Sequence, residues 1–212
     1  IDDPSQKAIA LKNVTYGLAH GASPSKNPEL LEQAVEVVAL IDDPFQTGDA
    51  LKEVARRVAQ RGDVGRNPEL LKQVVEIAAR IDDPKVKAFA LGNVAAGLAR
   101  GASASKNLKL LKQAEDVVAQ IDIPKMKALA LRWVAEEVAK EASAGKNPEL
   151  LKQAADIAAR IYEHDQKAGA LREVAKTAAQ LGYWRQARDY AVQNVTDEGR
   201  VEALIAILKV WY

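Results

Sequence analysis

The chain repeats itself every 40 residues. NPELLEQAVEVVALIDDP (27–44) returns as NPELLKQVVEIAARIDDP (67–84), as NLKLLKQAEDVVAQIDIP (107–124) and as NPELLKQAADIAARIYEH (147–164). Ile1, Ile41, Ile81, Ile121 and Ile161 open five copies. A period of this length is the mark of a solenoid, in which one unit cannot bury its apolar face alone and stacks on its neighbours. The expected layout is one repeat domain over 1–212, with copies at 1–40, 41–80, 81–120, 121–160 and 161–194 and a terminal helix at 195–212.

Each copy reads as two helices. Asp3, Asp43 and Asp83 stand where an N-cap carboxylate accepts backbone N–H bonds, and Pro4, Pro44, Pro84 and Pro124 follow at the first helical position, where a missing N–H costs nothing. The doubled aspartates suggest a metal site, but one N-cap per helix accounts for them without a ligand. Ala8, Leu11, Val14 and Leu18 then recur at spacings of three and four, with Thr15 on the same side. Leu and Val hold the Leu11 and Val14 positions in every copy. Gly21 and Gly101 are expected to stop the first helix in their copies. A polar stretch such as ASPSKN follows, and Asn27 with Pro28 opens a second helix whose apolar face is Leu30, Leu31, Ala34, Val37, Val38 and Ile41. Glu29, Glu32, Gln33 and Glu36 form its solvated face, where later copies offer i,i+4 pairs such as Lys72 with Glu76.

The fifth copy, LGYWRQARDYAVQN (181–194), lacks the polar insertion, and Leu171 and Leu204 stand 33 residues apart. With Gly182, Trp184 and Ala187 at the helix junction, it resembles the tetratricopeptide (TPR) family of helical hairpins. The first four copies then resemble TPR-like units with about six residues added to the inner loop. The motif match is partial: Ala191 stands where that family places a large aromatic. HEAT and armadillo repeats are the competing assignment, and all of these are all-α solenoids. The TPR resemblance implies a right-handed superhelix of antiparallel helix pairs, with the first helices lining a concave, partner-binding surface.

Composition narrows the function classes. Lys and Arg number 30 against 29 Asp and Glu, for a net charge of +1, so no field draws the chain to nucleic acid or an anionic membrane. The repeat positions of Tyr16 and His20 are not consistently basic, which disfavours an RNA-reading repeat. No apolar run is long enough to span a bilayer. Absent cysteine excludes disulfide and thiolate chemistry and leaves a lean towards a cytoplasmic location. His20 and His164 are the two histidines, and neither sits in a metal-ligating or nucleophile–base pattern; EHDQK (163–167) is the nearest approach. With no phosphate-binding glycine loop and no G-x-S-x-G, the expectation is a non-enzyme that needs no cofactor. IDDPSQK does not read as a signal peptide, and a start on a repeat boundary without Met reads as a piece of something longer.

Candidate function lies where the copies disagree. At about 100° per residue, the positions of Gln6, Ile9, Asn13, Tyr16 and His20 fall opposite Leu11, Val14 and Leu18. There copies three and four carry Val86, Phe89, Met126, Leu129 and Trp133, flanked by Gln46, Asp49 and Glu53 on one side and Gln166 and Glu173 on the other. An apolar centre with a polar rim suits a protein or peptide partner. The competing reading makes these residues inter-repeat packing. RVEALIAILKVWY (200–212) is apolar on almost every side, whereas a solenoid ending in solvent needs a polar outer face. Ile205, Leu208, Trp211 and Tyr212 are therefore candidates for homo-oligomer formation, unless further sequence covers them. The sequence-based reading is a protein- or peptide-binding helical scaffold, with a purely structural, self-associating or designed repeat as the alternative.

Overall fold

The computed structural model describes residues 3–22, 27, 29–60, 68–104, 108–193 and 197–211. Every regular element among them is an α-helix. The first helices of the copies are α1 (Pro4–Gly21), α3 (Pro44–Gln60), α5 (Pro84–Ala104), α7 (Pro124–Gly145) and α9 (His164–Gln180). The second helices are α2 (Glu29–Val38), α4 (Pro68–Ala79), α6 (Leu108–Ala119), α8 (Pro148–Ala159) and α10 (Trp184–Val192), and α11 (Asp197–Trp211) stands alone as a sixth first helix. The architecture is an all-α solenoid of helical hairpins. The chain forms two compact units, Ile1–Ala130 and Leu131–Tyr212, and the division falls inside α7.

The helix starts follow from the caps. Asp3 accepts from the Ser5 N–H at 2.8 Å, Asp43 from Gln46 at 2.9 Å, and Asp83 from Lys85 and Val86 at 2.8 and 3.0 Å. Asn147 does the same for α8, accepting from Glu149 at 3.0 Å. Pro28 and Asn67 lie outside the described residues. A second device closes the helix ends. Lys127 donates from Nζ to the Ala119 carbonyl at 2.9 Å, and Lys167 to the Ala159 carbonyl at 2.7 Å. Each lysine thus satisfies an orphan carbonyl at the C-terminus of the preceding helix, where the helix dipole also favours a cation.

In the first unit α1, α3 and α5 stack in order, each beside its own second helix. Leu51, Val54, Leu91, Val94 and Leu98 are buried where these helices meet, at about 1.5–3 kcal/mol for each side chain removed from water. Gly97 sets the closeness of α5 to α3. A Cβ there would overlap the Lys52 carbonyl oxygen and lie 3.1 Å from the Arg56 nitrogen and 3.2 Å from the Ala55 Cβ. In the second unit α9 packs against α8, α10 and α11, and Leu171, Val174, Ala175, Ala187 and Ala191 form its core. Ala191, small where a TPR would be aromatic, is fully buried. Gly182 turns α9 into α10 at φ +81°, with the Tyr183 N–H bonding the Ala178 carbonyl at 2.8 Å, a left-handed C-terminal turn that favours glycine.

Three expectations need correction. Gly101 does not stop α5, which runs on to Ala104. Buried Ala102 holds the added turn against the modest cost of a mid-helix glycine. The insertion therefore lengthens the first helix in copies three and four, to 21 and 22 residues against 17 in copy five. Val14 is half exposed although its counterparts Val54, Val94, Val134 and Val174 are fully buried, because no described helix covers that side of α1. Leu204, matched to buried Leu171, is likewise exposed, whereas Ala203 and Ile207 are buried like their counterparts Ala170 and Val174.

Candidate functional site

The five apolar candidates are carried by two first helices. Val86 and Phe89 stand one turn apart on α5; Met126, Leu129 and Trp133 follow at i, i+3 and i+7 on α7. All five side chains are half-buried. Val86, Phe89, Met126 and Leu129 belong to the first unit and Trp133 to the second. Phe89 meets Phe45 of α3 edge-on, with ring centroids 5.8 Å apart and planes at 61°. Sequence reasoning missed Phe45, which is the exposed half of this pair. Its signal was available: an aromatic at a cap-adjacent position where the other copies have Ser5, Lys85, Lys125 and Asp165.

The polar residues flanking Phe89 make a network in the first unit. Glu53 accepts from Arg56 and, at 3.1 Å, from Arg57 Nε, and His20 Nε2 lies 3.1 Å from the same carboxylate. Burial pushes the Glu53 carboxyl up, but the hydrogen bonds and charges of Arg56 and Arg57 and the charge of His20 outweigh it and hold the group below its ordinary value. Asp49 lies 3.9 Å from Lys12, and its carbonyl accepts from the Tyr16 hydroxyl at 3.4 Å. Burial first, then the Asp49 and Glu53 carboxylates, raise the Tyr16 phenol above its ordinary value, so it remains a donor at neutral pH.

Beside Phe89 the polar bookkeeping does not close. Asn93 is buried, and its Nδ2 has no hydrogen-bond partner among the described residues. Gln46 Oε1, on the facing helix α3, is buried and unmatched in the same sense. Gly48 gives the Asn93 amide its room: a Cβ there would lie 3.4 Å from Asn93 Nδ2 and from Phe89 Cδ1. In the second unit the flanking positions are satisfied. Gln166 accepts from Arg132 at 3.4 Å, and Glu173 pairs with Lys176 at 3.4 Å.

The C-terminal candidates separate. Ile205 and Leu208 are exposed on α11, and Val201 and Leu204, which sequence reasoning did not single out, join them in a stripe at i, i+3, i+4 and i+7. The Trp211 side chain and Tyr212 lie outside the described residues. No described helix is long and apolar enough to cross a membrane.

No protein-family model matches the chain. No curated protein matches it either. Among solved structures the chain is similar to Ton1535 from Thermococcus onnurineus NA1, at 15% identity and a TM-score of 0.41 over 98% of this chain and 83% of that one. It is also similar to a crystal structure of the Podosopora anserina putative kinesin light chain nearly identical TPR-like repeats, at 19% identity and a TM-score of 0.37 over 100% and 99% of the two chains.

Proposed function

We propose that this helical-repeat scaffold is a non-catalytic binder of a protein or peptide segment, held against the variable face of its first helices. The observation that supports this is the unmatched amide of Asn93 beside half-buried Val86 and Phe89. A buried polar group without a partner costs about 1–3 kcal/mol. That cost persists in the free chain, and a backbone carbonyl brought in by an extended segment relieves it while its side chains meet the apolar residues alongside. Within the first unit Met126 and Leu129 add to the same residue class on α7, with Met126 as an adaptable filler.

Panning the chain against a random peptide display library tests the reading. Enriched peptides should lose binding to a Met126→Ala, Leu129→Asp double variant whose helicity and melting temperature stay near those of the parent. Equal capture by the variant, or no enrichment at all, overturns it. A large loss of stability in the variant identifies these side chains as core instead.

A further inference from the structure

We propose that the crevice between copies one and two, where α2 turns into α3, takes a primary alkylammonium group on a stem of lysine length. The chain itself shows what this position holds. The seventh residue of the repeat is Lys7, Lys87, Lys127 and Lys167, and copy two alone has a shorter side chain there, Thr47. Lys127 reaches back to the Ala119 carbonyl at 2.9 Å and Lys167 to the Ala159 carbonyl at 2.7 Å, each an orphan at the C-terminus of the preceding second helix. The Ala39 carbonyl is their counterpart at the end of α2, and no donor among the described residues reaches it.

Thr47 is buried, and its hydroxyl is turned onto nearer carbonyls, those of Ile41 at 3.1 Å and Asp43 at 2.9 Å. Space opens where the other copies place a lysine stem. The crevice beside Thr47 measures about 340 Å³, and the corresponding one beside Lys87 about 170 Å³. Lys87 makes no carbonyl bond among the described residues, so the difference in volume follows the stem rather than the bond.

The walls suit such a guest at both of its ends. Val38, Ile41, Ile77 and Ile81 supply apolar surface for the methylene stem. Ala39, Asp42, Asp82 and Asp83 supply acceptors for the ammonium. Asp42 is shared with Lys7, 3.5 Å away, and Asp83 caps α5, which leaves Asp82 as the carboxylate with no partner among the described residues. Arg80 also lines the crevice, so three carboxylates stand against one guanidinium and the balance favours a cation. The C-terminal end of α2 adds its partial negative charge. The crevice lies wholly within the first unit and shares no residue with the site of Val86, Phe89 and Asn93.

The test is amide chemical-shift mapping of the parent, titrated with Nα-acetyl-lysine amide at constant ionic strength. The amide signals of residues 39–47 should shift and saturate. The norleucine analogue, which keeps the stem and lacks the ammonium, should leave them in place. Thr47→Lys supplies the guest from within and should abolish the titration; the other four copies already hold lysine there, so the backbone accepts it. A second variant leaves the crevice open: Asp42→Asn with Asp82→Asn, both exposed in the parent, should weaken binding severalfold with helicity unchanged. Butylammonium distinguishes the sources of the group. Shifts equal to those of the lysine derivative show that the crevice reads any alkylamine, and weaker shifts show that it reads a lysine residue together with its backbone. No saturable shift with either amine, an equal response to the norleucine analogue, or full binding by Thr47→Lys overturns the proposal.

Discussion

Gly97 and Gly17 occupy the same position in the repeat, and the same substitution at each should move stability in opposite directions. At Gly97 an added methyl runs into the Lys52 carbonyl of α3, a backbone group that cannot rotate away, with the Ala55 Cβ 3.2 Å to the side. Overpacking of this kind costs up to about 3 kcal/mol. Replacing a mid-helix glycine by alanine returns about 1 kcal/mol of helix propensity, so Gly97→Ala should lose a net of about 2 kcal/mol. At Gly17 nothing lies within 4 Å, and the propensity gain of about 1 kcal/mol stands alone. For a chain of this size, at about 2–4 °C per kcal/mol, Gly97→Ala should melt about 4–8 °C below the parent and Gly17→Ala about 2–4 °C above it. Thermal unfolding by circular dichroism, at a concentration where the parent is monomeric, reads both. Two variants that shift together by the same amount would refute the close approach of α5 to α3.

Glu53→Gln should flatten the acid side of the stability profile. The folded carboxyl sits below its ordinary value, so its contribution is complete above the unfolded value of about 4.3 and is lost as pH falls through the folded one; urea midpoints at neutral and acid pH should diverge more for the parent than for the variant. Gly182→Ala should cost about 1–2 kcal/mol, because the left-handed backbone at φ +81° penalises a Cβ even in open space; Gly182→Asn should recover part of the loss in the same melting assay. Asn93→Leu should stabilise the chain by about 1 kcal/mol, by removing a buried unmatched amide, while weakening peptide capture; a loss of stability would show that the amide is satisfied in solution.

The helices were legible because their signals are local and repeated. Asp3, Asp43 and Asp83 cap where their spacing says they should, and Leu51, Val54, Leu91 and Val94 are buried as the three-and-four periodicity requires. What escaped is set by contacts between helices. Gly101 carries a stop signal that the burial of Ala102 overrides. Val14 and Leu204 match core positions in other copies, but no neighbour among the described residues buries them as it does those counterparts. α11 was legible as a sixth first helix and so was its rotation, because Ala203 and Ile207 are buried like their counterparts Ala170 and Val174.

Variation between copies is a weaker mark of function than it first looks. A packing position can change from copy to copy when its partner changes with it, as Asp49 does with Lys12, Gly169 with Arg132 and Glu202 with Arg172. Phe89 belongs to the same class, since Phe45 accompanies it. The discriminating question is whether the change is compensated inside the chain. At Asn93 it is not: burial has removed the amide from water, Gly48 has cleared space beside it, and no described group answers it. Together with Gln46 Oε1 on the facing helix, it is a polar group that burial leaves unanswered, which is what a binding position looks like before its ligand arrives. Asn93, rather than the larger aromatic side chains around it, is therefore the residue on which the binding proposal stands or falls.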